Sequence, residues 1–206
     1  MRALPNILTG ARLVMALFVF FALATAAGDM PGLAVSGGMI FALDRWALVA
    51  FIAAAVTDFF DGWLARRLNA TSAWGAILDP IADKVLVCAT VLGLLALAAS
   101  PVVVVPAALI LFREFTVSAL REALAGRVTL AVTLLAKWKT TLQLIALGLE
   151  LAVAAWGALD LPPDPGPILA VSWIAHGLLW IAAIVTLITG AQYLWQARKA
   201  LAAAPA

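Results

Sequence analysis

Four aspartates in one short stretch are spaced as two pairs: Asp58 with Asp61 at i, i+3, and Asp79 with Asp83 at i, i+4. On helices, either spacing sets both carboxylates of a pair on one face. Hard oxygen ligands carrying excess negative charge suit Mg²⁺ or Mn²⁺, and two divalent ions would cancel four carboxylates. A nearby arginine, Arg66, cannot neutralise them alone. Gly62, Ala65 and Gly75 leave space beside the acids, as a ligand would require. Two other readings stay open. Asp79 precedes Pro80 and could cap a helix N-terminus in addition to holding metal. Acids in apolar surroundings can also relay protons. Capping fails for Asp58 and Asp61, which close an apolar run at the end where the helix dipole disfavours anions.

A second group is basic. Arg113 and Arg121 are eight residues apart, within about 80° on one helix. Lys137 and Lys139 add two cations at the start of the next apolar run. Four cations near a metal site suit a phosphorylated acceptor better than a plain polyol or a choline-like alcohol. Two simpler accounts compete: basic residues mark the cytoplasmic ends of spans, and Glu114 and Glu122 can pair with the arginines.

Apolar helices must position both groups. Of 206 residues, 66% are hydrophobic and 12% charged, against roughly 45–50% and about 25% in soluble domains. That excludes a water-soluble single-core enzyme and a disordered tail. A lone cysteine, Cys88, excludes a disulfide scaffold and is read as a small core residue. Six apolar segments, roughly 7–27, 45–65, 79–99, 101–122, 134–156 and 168–193, predict an all-α polytopic membrane protein with six transmembrane helices. Residues 1–206 read as one transmembrane domain without an inverted repeat. Ala24-Thr25-Ala26 imitates a signal-peptide cleavage site, but the long basic region before it favours a retained first helix. Six spans put both termini on one side with every lysine and arginine except Arg45, so both termini are expected in the cytoplasm. Trp46, Trp63, Trp156, Trp173 and Trp195 fall near span ends, as an interfacial belt requires. His176 reads as a packed or hydrogen-bonded residue, and Glu150 has no assigned role.

The run from Asp58 through Gly62, Ala65, Arg66, Gly75 and Asp79 to Asp83 matches D-x2-D-G-x2-A-R-x8-G-x3-D-x3-D without a departure. It resembles the signature of the CDP-alcohol phosphotransferases, integral membrane enzymes that join a CDP-linked group to an alcohol. The resemblance implies that Asp58, Asp61, Asp79 and Asp83 bind two divalent metals, with Asp83 also the base. It implies that Gly62, Ala65, Arg66, Ser72 and Gly75 meet the CDP-linked donor. Asn6 and Thr9, within Pro5-Asn6-Ile7-Leu8-Thr9-Gly10-Ala11-Arg12, resemble a first-helix motif reaching the donor's nucleotide.

Arg113-Glu114 through Arg121-Glu122, and Lys137-Trp138-Lys139-Thr140 to Gln143, resemble segments of the bacterial family members that make phosphatidylglycerophosphate. The likeness spans most of residues 4–143, and the last sixty residues contribute only a hydrophobic pair of spans. Its implications are CDP-diacylglycerol as donor, glycerol 3-phosphate as acceptor and direct displacement. A homodimer among membrane lipids, with no nucleic acid partner, is also implied. So is a site facing the cytoplasm from a bacterial inner membrane. Within the family, inositol phosphate, serine or phosphatidylglycerol are the alternative acceptors. An ion-coupled transporter is the rival from another class, but it calls for midplane sites and broken helices in both halves.

Overall fold

The computed structural model describes residues 4–33, 35–68, 73–97, 100–124 and 134–203, without the side chains of 4–6, 59–68, 73–77 and 134–137. Among the described residues the regular elements are all helical. They are α1 (Leu4–Ala26), α2 (Gly37–Leu68), α3 (Ala73–Leu97), α4 (Pro101–Ala123), α5 (Leu134–Ala154) and α6 (Pro165–Ala203), with a 3₁₀ turn at Gly157–Leu159 before α6. Five of the six, all but α5, are long and apolar enough to cross a membrane. The exception has a simple cause: Lys137, Lys139 and Glu150 fall within its 21 residues. The chain is thus a multi-pass membrane protein by the length and composition of its helices.

Local chemistry sets the boundaries. At the end of α1, Asp29 N–H donates to Ala24 O and Gly28 N–H to Thr25 O, both at 3.1 Å, with Gly28 at φ 83°. This is the Schellman arrangement, and glycine takes its left-handed position without a Cβ clash. Ser100 in extended backbone and Pro101 at the first position open α4, as the sequence suggests. Two helices run well past their expected limits. Helix α2 begins at Gly37 rather than near 45, passing Asp44 and Arg45, and α6 continues through the basic tail to Ala203.

The start of α3 corrects a sequence expectation. Because the helix begins at Ala73, Asp79 lies inside it and cannot be its N-cap, and Pro80 lies inside it too. Pro80 brings no N–H to the carbonyl one turn back and crowds it. Asp79 therefore sits where the helix ladder is already interrupted.

Packing follows buried stripes at alternating three- and four-residue spacing. On α1 the stripe is Thr9, Arg12, Ala16, Val19 and Leu23, and on α6 it is Ala175, Leu179, Ala182, Thr186, Thr189 and Tyr193. Helix α1 packs on α2 and α3, while α6 packs on α4 and α5; lighter contacts of α5 with α2 and α3 join the two groups. The outward faces are apolar, including Val14, Phe21, Phe112, Trp138, Trp173 and Ile184. Buried polar residues beneath an apolar exterior are the pattern expected where lipid is the solvent. Glu150 of α5 fits it, and the partly exposed His176 of α6 stands with Nε2 3.6 Å from Glu150 Oε2. Glu150, without an assigned role in the sequence, has a neighbour of complementary type on the next helix.

Candidate active site

The two aspartate-bearing helices converge on α1. Arg12 has no exposed surface, and its Nη1 lies 3.0 Å from Asp58 Oδ1 on α2 and 3.0 Å from Asp83 Oδ1 on α3. Thr9, one turn earlier on the same stripe, donates from Oγ1 to Asp79 Oδ1 at 2.6 Å. Three of the four expected carboxylates are thereby tied to one face of α1. The fourth, Asp61, lies on α2, and its side chain is outside the described residues. Asn6, Gly62, Ala65, Arg66, Gly75 and Lys137 share that standing, and Ser72 lies outside altogether.

Arg12 corrects the charge balance drawn from sequence, which sets Arg66 against the aspartates and places Arg12 in the first-helix motif and on the basic side of the topology. A buried guanidinium touching two carboxylates lowers the cost of bringing anions together in surroundings poor in water. The signal was present in the sequence: Arg12 continues the 3–4 spacing of an otherwise apolar seam. One arginine against Asp58, Asp79 and Asp83 still leaves excess negative charge on hard oxygen donors, which fits Mg²⁺ or Mn²⁺. Among the described residues, no group of three or more acidic, histidine or cysteine side chains closes to metal-holding distance.

The basic group assembles on the other three helices. Glu114 of α4 is its hub, with Oε1 accepting from Arg113 Nη1 at 3.2 Å, from Gln143 Nε2 at 3.4 Å and from Lys139 Nζ. Helix α6 then fixes the donors. Arg113 Nη2 donates to Thr189 Oγ1 at 3.1 Å, Gln143 Nε2 to Thr186 Oγ1 at 2.7 Å, and Arg121 Nη2 to Tyr193 Oη at 2.9 Å. The Arg121 guanidinium also stands 5.4 Å from the centre of the Tyr193 ring. Gly190 lets Arg113 pass, since a Cβ there would fall 2.8 Å from Arg113 Cγ.

These contacts make the last sixty residues part of the site. The expectation of a merely hydrophobic pair of spans is wrong, because Thr186, Thr189, Gly190 and Tyr193 occupy one buried stripe of α6. Polar residues at helical spacing inside an apolar run were the available sign. The simpler reading of the cations is half right. Lys139 and Arg113 do pair with Glu114, whereas Arg121 is exposed and leans on Tyr193.

A cavity of about 200 Å³ joins the two groups, lined by Asp83 and Lys84 together with Arg113, Arg121, Lys139 and Tyr193. Its size is below the ~300–1,000 Å³ of sites for drug-sized ligands, as a small polar molecule requires. A larger groove of about 800 Å³ runs between α2 and α5, with Phe51, Ile52, Val56, Leu144 and Ile145 along it and Asp58 and Asp83 at its polar end. Asp83 thus borders both a small charged cavity and a long apolar groove.

Known proteins show the same pattern of likeness. A family model described as CDP-alcohol phosphatidyltransferase matches residues 2–188. A Cereibacter sphaeroides protein named CDP-diacylglycerol–glycerol-3-phosphate 3-phosphatidyltransferase is 39% identical over 97% of this chain and 96% of its own. Proteins of the same name are 43% identical in Rickettsia bellii, over 72% of this chain and 77% of theirs, and 40% identical in Shigella flexneri, over 75% and 80%. The aspartate signature, its convergence on α1 and a family match across nearly the whole chain lead to one conclusion: this protein belongs to the CDP-alcohol phosphatidyltransferase family.

Proposed function

We propose that the protein transfers the phosphatidyl group of CDP-diacylglycerol to glycerol 3-phosphate, releasing CMP. The observation that carries this reading is one small cavity lined both by the carboxylate Asp83 and by the cations Arg113, Arg121 and Lys139. A donor with two acyl chains suits the apolar groove, which brings its phosphates to Asp58 and Asp83. A small dianionic acceptor suits the cavity, with Arg121, Arg113 and Lys139 as phosphate partners. The names of the Cereibacter, Rickettsia and Shigella relatives support both substrates.

The reaction is a direct displacement. Asp83 takes the proton from the primary hydroxyl of the acceptor. That oxygen bonds to the phosphorus attached to diacylglycerol, and the bond from this phosphorus to the bridging oxygen breaks as CMP departs. Two divalent ions, held by Asp58, Asp61, Asp79 and Asp83, would supply stabilisation of the charge developing on the pyrophosphate. Arg12 holds Asp58 and Asp83 near each other, and Thr9 orients Asp79. Family likeness supports donor contacts from Asn6, Gly62, Ala65, Arg66, Ser72 and Gly75. Lys137 joins the acceptor cations on the same grounds.

The architecture proposed with this chemistry is one domain over residues 1–206 with six spans, α5 included. Both termini and the site face the cytoplasm from a bacterial inner membrane, and the protein works as a homodimer. The distribution of lysine and arginine supports the orientation.

The test is CMP release from CDP-diacylglycerol by purified protein in detergent. Glycerol 3-phosphate, inositol phosphate and serine are compared, with and without EDTA. The expected result is turnover with glycerol 3-phosphate alone, abolished by EDTA and reduced about 10²–10⁴-fold in Asp83→Asn. Turnover with another acceptor would overturn the reading of the basic cavity. Full activity in Asp83→Asn would remove the base.

A further inference from the structure

We propose that Glu114 selects the acceptor by accepting a hydrogen bond from its second, non-attacking hydroxyl. The inference rests on the reading of the small cavity as the acceptor site.

A carboxylate is an unexpected neighbour for a phosphate dianion, because it repels the ligand that the cations attract. Glu114 nevertheless lines the cavity together with Asp83, and its side chain is 14% exposed. Neutralising Lys139 and Arg113 accounts for one of its oxygens. The described contacts from Arg113, Lys139 and Gln143 all arrive at Oε1. No described residue donates to Oε2. A carboxylate oxygen has two lone pairs and accepts only; Oε2 is not among the buried atoms left without a partner, so it is open to a donor brought by a ligand.

The acceptor brings such a donor. Glycerol 3-phosphate has three polar parts: a primary hydroxyl that reacts, a phosphate and a secondary hydroxyl between them. With the primary hydroxyl at Asp83 and the phosphate at Arg121 and its neighbours, the secondary hydroxyl needs a partner in the middle. Ser118, Thr140, Gln143 and Tyr193 also line the cavity, but among the described lining residues the anionic acceptors, which bind a hydroxyl most strongly, are Asp83 and Glu114, and Asp83 is engaged as base. Glu114 is the remaining one. Because its Oε1 is fixed from three directions, Oε2 is held for the ligand without further ordering. A site built to bond a substrate hydroxyl discriminates strongly against an analogue that lacks it.

The experiment compares glycerol 3-phosphate with 3-hydroxypropyl phosphate, the same molecule without the secondary hydroxyl. It measures kcat/KM for CMP release by full-length protein in detergent with CDP-diacylglycerol. The wild-type protein is expected to prefer glycerol 3-phosphate by about 10–100-fold, the range for a hydrogen bond to a charged group. Glu114→Ala should bring that preference to within about threefold of unity. Lys139→Met, which removes a donor to Oε1 only, should slow both acceptors and keep the preference; a purely structural role for Glu114 would give the two variants the same signature. Should Glu114→Ala fail to fold, Glu114→Gln decides, with the preference expected to fall at least about threefold as a neutral amide replaces the anion. A wild-type preference under about threefold, or one unchanged in the Glu114 variants, overturns the assignment while leaving the proposed function standing. Absence of turnover with glycerol 3-phosphate in the wild type would instead overturn the acceptor reading itself, and this inference with it.

Discussion

The two helix groups solve one electrostatic problem with opposite signs. In α1–α3, a cation from one helix is buried against anions of two others: Arg12 against Asp58 and Asp83. In α4–α6, an anion from one helix is set against cations, with Glu114 holding Arg113 and Lys139. The supports differ. Arg12 and Thr9 sit on one short stretch of α1, so the acidic group depends on a single seam. The basic group draws on the hydroxyls of Thr186, Thr189 and Tyr193 along two turns of α6. An acidic cluster that is to hold metal must keep oxygens available, so few protein donors can be spent on it. The basic cluster can be tied by many neutral donors and acceptors and still present charge to its cavity.

Removing the charged support described on the acidic side should therefore have the largest effect on folding. Arg12→Gln is expected to lower stability by about 3 kcal/mol, the low end for breaking a buried pair, because Asp58 and Asp83 remain 36% and 39% exposed. Thermal unfolding in detergent measures it, and added Mg²⁺ should recover part of the loss by ligand linkage. A variant as stable as the wild type would break the comparison, leaving α1 without an electrostatic role.

On the basic side the sharper probe is steric. Gly190→Ala places a methyl 2.8 Å from Arg113 Cγ and should cost about 2 kcal/mol, since overpacking displaces the guanidinium. The KM for glycerol 3-phosphate should rise while that for CDP-diacylglycerol stays within error. An equal rise in both would mean that the two groups are not separable. The smallest effect belongs to Thr9→Val, which keeps volume and removes the donor to Asp79. About 1.5 kcal/mol is expected, with kcat falling more than either KM.

Much of this was legible from residue spacing. The carboxylate pairs predicted two faces that meet, and Asp58 and Asp83 do meet, across Arg12. The membrane character followed from composition. What escaped was of two kinds. The N-cap reading of Asp79 failed because Pro80 marks helix starts far more often than interiors, whereas α3 begins at Ala73, about two turns earlier. The contribution of α6 escaped because threonine, glycine and tyrosine are unremarkable in apolar spans. Only the direction in which Arg113 and Arg121 reach gives them a task. Long cationic side chains reach partners that sequence distance conceals, here 76 and 72 residues away.

Helix α6 also works as a ruler. Counting from Pro165 at 1.5 Å per residue, Thr186 lies roughly 32 Å along the axis, close to the ~30 Å thickness of bilayer hydrocarbon. With Pro165 at one edge of the hydrocarbon, Thr189, Tyr193 and the groups they hold would stand level with lipid phosphates, and a lipid substrate would react, and its product form, without leaving its leaflet.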